Sequence, residues 1–423
     1  MASRHVGPLT ASTLFITLGL VSGSCLRPIA PQPTPAEAPR AARPTLSGWA
    51  EKTLGALTLE EKVAQMIGVR AFGIYTNPRS PEYQALIEEV ETLKIGQITI
   101  FESDVYAAPK ILNDLQRRSK IPLLVGADLE RGLAFRVRRG VVPIPYAMAI
   151  GATRSEEAAY FAGLVTGREA RAIGIHWAFA PVADVNNNPD NPVINIRSFG
   201  EDPALVGRLS SAYVRGARAG AILSTAKHFP GHGDTAKDSH LDLPSLPHDL
   251  ERLRQVELLP FAAYAKAGLA SVMTAHVIFD ALEPGVPATM SARVMDGLLR
   301  KELGFQGVVV SDDLEMKAIS EHFSVERAVV EGVKAGVDCF LVCHHASVQR
   351  AAIEALVKAV ESGEVKRERV LEARARIDAM NRRFVHGPED RLGTLGTPAH
   401  EALRRGLSVD TFTGKDPTEV VHS

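Results

Sequence analysis

The stretch Gly307–Cys343, GVVVSDDLEMKAISEHFSVERAVVEGVKAGVDCFLVC, decides the fold. It opens on an apolar run that ends in two carboxylates (Gly307–Asp313). A helix-like segment follows, stopped by Gly336, and a second apolar run begins at Val337 and ends at Cys343. Continuous apolar runs belong to strands buried on both faces, and strand–helix–strand order is the parallel βαβ unit. Working outward, six more such runs precede this pair: MIGVRAF (Met66–Phe72), IGQITIF (Ile95–Phe101), IPLLVGAD (Ile121–Asp128), IHWAFAPVADV from Ile175, AILSTAKHF (Ala221–Phe229) and SVMTAHVIF (Ser271–Phe279). Most intervening segments are rich in Ala, Glu, Arg and Leu and several stop at glycine, as at Gly220 and Gly268. Eight buried-type strands alternating with helices predict an α/β fold, a (β/α)8 TIM-type barrel. A doubly wound sheet is the alternative, but no GxGxxG follows the first run and no GxxxxGK[ST] occurs, so the phosphate loops of the nucleotide folds are missing.

The 423 residues carry 48 Lys or Arg against 49 Asp or Glu, a formal net charge of −1, which removes the broad attraction that nucleic-acid binders use. The 45% hydrophobic and 23% charged content is that of a globular chain, not a disordered one. Of three cysteines, Cys339 and Cys343 lie four residues apart in one strand, about 13 Å, too far for a disulfide. They read as buried thiols, with a CxxxCHH metal site as the other reading. Residues 1–25 read as an export leader: Arg4, an apolar stretch from Leu14 to Val21, then Ser22-Gly23-Ser24-Cys25, which resembles a bacterial lipoprotein cleavage box. Residues 26–48 form a Pro/Ala-rich linker, residues 49–385 the (β/α)8 domain and residues 386–423 a short tail. The expected location is exported, periplasmic or cell-envelope, with membrane attachment through a lipid on Cys25.

In such barrels the active site lies at the carboxyl ends of the strands. Here those ends carry Asp128, Asp184, Lys227 with His228, His276, Asp312 with Asp313, and His344, a rim suited to a very polar ligand. The densest segment is KHFPGHGDTAKDSH, residues 227–240, a loop broken by Pro230 and its glycines. Acid/base work is one reading, with Asp238 orienting His240 and setting its tautomer. Metal binding by His228, His232, Asp238 and His240 is the other, though HExxH spacing is lacking. In Ser311-Asp312-Asp313 either acid can point inward. Asp312 is nearer the strand and suits a nucleophile or base, which leaves Asp313 to cap the helix that follows.

The segment from Lys227 to His240, followed by GVVVSDDLEMKAI, resembles the family 3 glycoside hydrolases, in their β-N-acetylglucosaminidase branch. FAPVADVNNNPDNPVINIRSFGEDP and MTAHVIFDALEPGVPATMS resemble it too, and the similarity runs from about Leu57 to Phe384. The resemblance implies a retaining mechanism with Asp312 as the nucleophile and His240, paired with Asp238, as general acid/base. That departs from the usual pair of carboxylates, yet an imidazole can protonate a leaving oxygen and then deprotonate water. It also implies that Asp128, Arg136, Arg197, Lys227 and His228 bind the sugar, that no cofactor or metal is needed, and that the substrate is a small glycan or muropeptide. Phosphorolysis or another family 3 β-glycosidase activity is the alternative on the same fold, and a non-catalytic sugar-binding protein a further one. The family pattern DQEGGRVxR reads here DLERGLAFR, residues 128–136, so Arg131 replaces a glycine and Leu133 an arginine. The turn between Asp128 and Arg136 is therefore expected to differ.

Overall fold

Eight parallel strands close into a barrel in the order β1-β10-β9-β7-β5-β4-β3-β2. They are β1 (Ile67–Gly73), β2 (Gln97–Ser103), β3 (Leu124–Ala127), β4 (Trp177–Ala178), β5 (Leu223–Phe229), β7 (Ser271–Thr274), β9 (Val308–Asp313) and β10 (Cys339–Leu341). Two short strands outside the barrel, β6 (Ser245–Leu246) and β8 (Ile278–Phe279), pair with each other. The computed structural model describes residues 56–266 and 269–381. The leader 1–25 with Cys25, the linker 26–48, the tail 386–423 and Gly268 lie outside the described residues.

The closed barrel matches the expected fold, and the differences have local causes. The fourth run pairs as a strand only at Trp177–Ala178, because Pro181 has no N–H to offer a ladder. Its carbonyl still accepts from Lys227 N at 3.3 Å, and Ala183 N donates to Lys227 O at 2.6 Å, so the chain stays on the wall. The sixth run breaks after Thr274. Its hydroxyl meets Thr289 Oγ1 at 2.7 Å, His276 Nδ1 meets the same hydroxyl at 2.8 Å, and the chain leaves the barrel to form β8.

The strand faces are set by what lies behind them. On β1 a Cβ at Gly73 would stand 2.9 Å from Ala108 Cβ on the surrounding helix, so that parity faces outward. Gly68, Arg70 and Phe72 therefore face the lumen, and Gln97, Thr99 and Phe101 share that face of β2, in register with β1. Inside, Trp177 Nε1 donates to Ser271 Oγ at 2.8 Å, Thr225 and Ser271 hydroxyls meet at 2.7 Å, and Cys339 Sγ reaches Gln97 Oε1 at 2.8 Å. Both Cys339 and Cys343 are buried and free, and burial raises each thiol's pKa and keeps it protonated.

Helix boundaries follow side-chain caps. Thr58 and Glu61 form a capping box at the helix Leu59–Ala64, and Ser155 accepts from Ala158 N at the start of Glu156–Ala172. Gly336 ends the helix Val325–Ala335 at φ 121°, a conformation side chains resist. The helices Glu156–Ala172 and Pro203–Ala219 touch through glycines: a Cβ at Gly216 would lie 1.8 Å from Tyr160 O, and one at Gly163 2.1 Å from Tyr213 O. Among the described residues no helix is long and apolar enough to cross a membrane. Gly216→Ala must push these helices apart, and overpacking of this kind costs about 1–3 kcal/mol. Urea unfolding is expected to show a lower midpoint at unchanged slope; an unchanged midpoint would disprove the close contact.

Candidate active site

A buried lysine needs counter-charge, and Lys227, near the end of β5 and 2% exposed, has two carboxylates. Its Nζ lies 2.7 Å from Asp128 Oδ1 and 2.7 Å from Glu130 Oε1. Arg136 pairs with the other oxygen of Asp128. Arg197, on the short helical turn Asn195–Arg197, grips Glu130 with two bonds of 2.8 Å and donates to Val193 O at 2.9 Å. The result is an alternating chain, Arg136–Asp128–Lys227–Glu130–Arg197, across three neighbouring strand ends. Burial works to raise the Asp128 pKa, but Lys227 and Arg136 outweigh it and bring it down to about 2. Glu130 is likewise held well below its ordinary value, by Lys227 and Arg197 against burial.

His228 follows on β5. Its Nδ1 donates to Asp184 Oδ2 at 2.7 Å, and its Nε2 lies 3.5 Å from Arg197 Nη2 and 3.9 Å from Asp312 Oδ2. Asp184 also accepts from His228 N and, at 2.7 Å, from His232 N, so one buried carboxylate sets both histidines. Asp312 thus sits at the end of β9 facing Lys227, His228 and His276. Burial works to raise its pKa, but these groups, His228 foremost, lower it overall, so the carboxylate is ionised.

Asp313 is not a helix cap. The next helix, Lys317–Ser320, begins after Met316. Asp313 Oδ1 instead accepts from Glu315 N at 3.1 Å and Cys343 N at 3.2 Å, and Oδ2 accepts from His344 Nε2 at 3.0 Å. Two adjacent residues on a strand point to opposite sides, and the wall-side acid is used to tie β9 to the segment after β10.

Asp238 and His240 are brought together as expected. His240 Nδ1 lies 2.7 Å from Asp238 Oδ1, which also accepts from His240 N at 2.9 Å. This fixes the proton on Nδ1 and leaves Nε2 for exchange. The arm bearing them is exposed but docked: Ser239 O accepts from Ala318 N at 3.3 Å, and Ser239 Oγ meets His232 Nε2 at 2.8 Å. His232 Nδ1 meets Thr235 Oγ1 at 2.7 Å, and burial drops the His232 pKa to about 4, so the ring is a neutral clamp.

The four residues of the metal reading are therefore spread over other tasks, His228 and His232 being engaged by Asp184, Thr235 and Ser239. Among the described residues, ligand-type atoms of Asp234, His248 and Glu257 do gather within 4.8 Å. Arg252 stands among them, 3.1 Å from Glu257 and 3.7 Å from Asp234, and supplies the positive charge. The altered turn after β3 keeps its function of joining Asp128 to Arg136. Gly132 takes φ 67°, Leu133 is buried, and Arg131 stacks 4.2 Å over the Tyr146 ring, away from the charge chain. Asp184 stands in the polar rim read from the sequence but without a role of its own, and Glu130 is not singled out there. Glu130 stands two residues after Asp128, and only the fold shows that Lys227 and Arg197 converge on it.

Residues 58–380 match the Glycosyl hydrolase family 3 N terminal domain. The chain is 35% identical over 384 residues to Beta-hexosaminidase A of Pseudoalteromonas piscicida, across 81% of this chain and 64% of that protein. It is 40% identical over 229 residues to Beta-hexosaminidase of Stenotrophomonas maltophilia strain R551-3, across 53% of this chain and 68% of that one. A solved family 3 beta-N-acetylglucosaminidase from Paenibacillus sp. str. FPU-7 superposes with a TM-score of 0.74 at 38% identity, covering 84% of this chain and 69% of that one. The chain thus spans about two thirds of the length of these relatives. With the barrel, the charge chain and the histidine arm all inside the matched residues, the chain belongs to glycosyl hydrolase family 3.

Proposed function

We propose that the protein is a retaining exo-β-N-acetylglucosaminidase that removes terminal β-linked N-acetylglucosamine from small glycans, including peptidoglycan fragments. The observation that carries this reading is the pairing of an ionised Asp312 on the barrel rim with a His240–Asp238 dyad on an arm docked to the segment after β9. In the first step Asp312 attacks the anomeric carbon while His240 Nε2–H protonates the departing oxygen, giving a glycosyl-aspartate. In the second, neutral His240 takes a proton from water, whose oxygen displaces Asp312. Asp238 holds the imidazole and steadies its charged form. The Arg136–Asp128–Lys227–Glu130–Arg197 chain offers acceptors and donors to the sugar hydroxyls, and its Lys227 adds to His228 and His276 in keeping Asp312 anionic. The names of the relatives, beta-hexosaminidase and beta-N-acetylglucosaminidase, support the N-acetyl sugar.

Export with lipid attachment at Cys25 belongs to the same proposal, supported by the apolar stretch and the small residues before that cysteine. Cys25→Ser is expected to move the protein from the membrane to the soluble fraction, and an unchanged distribution would refute the anchor.

The deciding assay compares aryl β-N-acetylglucosaminide with aryl β-glucoside in phosphate-free buffer. Strong preference for the N-acetyl sugar is expected; turnover that requires added phosphate would instead mean phosphorolysis. Asp312→Ala is expected to abolish turnover and labelling by a mechanism-based fluorosugar, and near-normal turnover would overturn its assignment. Asp313→Ala still labels but loses about 1–3 kcal/mol of stability, since it leaves buried donors unpaired. His240→Ala is expected to slow substrates with poor leaving groups far more than activated aryl glycosides; equal losses on both would exclude its acid role.

A further inference from the structure

At the floor of the barrel, the opposite strand ends from Asp312, three arginines converge on one acid. Asp338, which precedes β10, is fully buried. Its Oδ1 accepts from Arg369 Nη2 at 2.6 Å and from Arg376 Nη1 at 3.1 Å. Its Oδ2 accepts from Arg300 Nη2 at 2.6 Å and from Val309 N at 3.0 Å. Arg300 comes from the helical segment Arg293–Glu302, and its Nη1 donates to Gly307 O at 2.6 Å, just before β9. Arg369 and Arg376 belong to the helix Arg367–Asn381, with Glu372 between them at helical spacing.

A clamp that closes the barrel floor explains why Asp338 draws in three guanidiniums. It leaves the rest of the cluster unexplained. The three arginines also line an open cleft of about 310 Å³. Among the described residues Arg369 Nη1 is buried without a hydrogen-bond partner, and Glu372 Oε2, the carboxylate oxygen it pairs with, lies 3.7 Å away. The other oxygen of Glu372 bonds Arg376. Three guanidiniums against Asp338 and Glu372 leave one positive charge, and Glu372 is half exposed. Lys301 and Lys334 also line the cleft but have carboxylates of their own: Asp296 at 2.6 Å for the first, Glu331 at 3.0 Å and Glu364 at 3.4 Å for the second. The surplus therefore belongs to the arginines. Burial lowers the Arg300 pKa to about 10, and Arg376 and Arg369 add to this against the pull of Asp338.

We propose that this cleft is a binding site for a phosphate group, free or as a monoester, on the face of the barrel remote from Asp312. A tetrahedral dianion accepts from several guanidiniums at once, whereas a planar carboxylate is satisfied by a single fork. Arg369 and Arg376 are the ligands, and Arg300 adds its charge from behind. Glu372, bonded to one of them and near the other, is the internal anion that the phosphate displaces.

The test is calorimetric titration of the full chain with inorganic phosphate and with glucose 6-phosphate, at fixed ionic strength and well above the second phosphate pKa of about 6. Binding is expected at one site per chain, and saturating N-acetylglucosamine, a ligand for the barrel mouth, is expected to leave it unchanged. Arg376→Met is expected to weaken it about tenfold. Glu372→Gln is expected to tighten it several-fold, because a competing carboxylate is gone; a purely structural clamp gives no such gain. Should Arg376→Met fail to fold, Glu372→Gln decides alone. Tighter binding of the ester than of the free ion identifies a monoester as the occupant, and equal or weaker binding the free ion; either supports the site. No binding, binding that the variants leave unchanged, or binding displaced by N-acetylglucosamine overturns it.

Discussion

Lys227 is a buried ammonium between two carboxylates, and the mouth of the barrel is organised by that arrangement. An isolated charge at this depth would be costly, so the lysine requires Asp128 and Glu130, and those acids require Arg136 and Arg197. Three cations against two anions leave one positive charge. Lys227 also faces Asp312 and adds to the stronger effect of His228 and His276, which explains how a carboxylate on a largely buried rim stays ionised. The same bonds staple the ends of three neighbouring strands, so the charge chain also holds the wall together.

A second group of bonds runs through histidine rings. Asp184 takes both His228 and the backbone of His232, and His232 hands the connection on to Ser239. Histidines that looked like candidate ligands in the sequence are therefore divided by depth. His228 faces Asp312, His232 is a buried clamp whose neutrality burial enforces, and His240 is the exposed one of the three.

The barrel was legible because strands covered on both sides are largely apolar: β1 breaks its run only at Arg70 and β9 only at Ser311 and its closing acids, while β5 keeps Leu223, Ala226 and Phe229 among its polar residues. The strand limits were less so. A proline at 181 and two side-chain hydroxyls at 274 and 289 cut short the fourth and sixth runs, and each acts through partners distant in sequence. The Asp238–His240 dyad was readable from local spacing alone, since i to i+2 within one turn leaves little geometric freedom. The roles of Glu130 and Asp184 were not, because each is defined by residues dozens of positions away. Asp312 and Asp313 show the limit clearly: identical neighbours exchange roles according to which side of the wall each faces, and the capping expected of Asp313 gave way to bonds across strands.

The arm that carries His240 is attached near its tip through Ser239, by one backbone bond and one hydroxyl–imidazole bond. Each such neutral bond is worth about 1 kcal/mol net in water. The Asp242–His322 contact at 3.3 Å adds to them three residues on, so the arm is seated by several weak polar bonds. A loop fastened in this way can be released bond by bond. Hydroxyl fastening gives the arm a defined seat without a large barrier to leaving it, whereas apolar packing of the same tip would have traded turnover for rigidity.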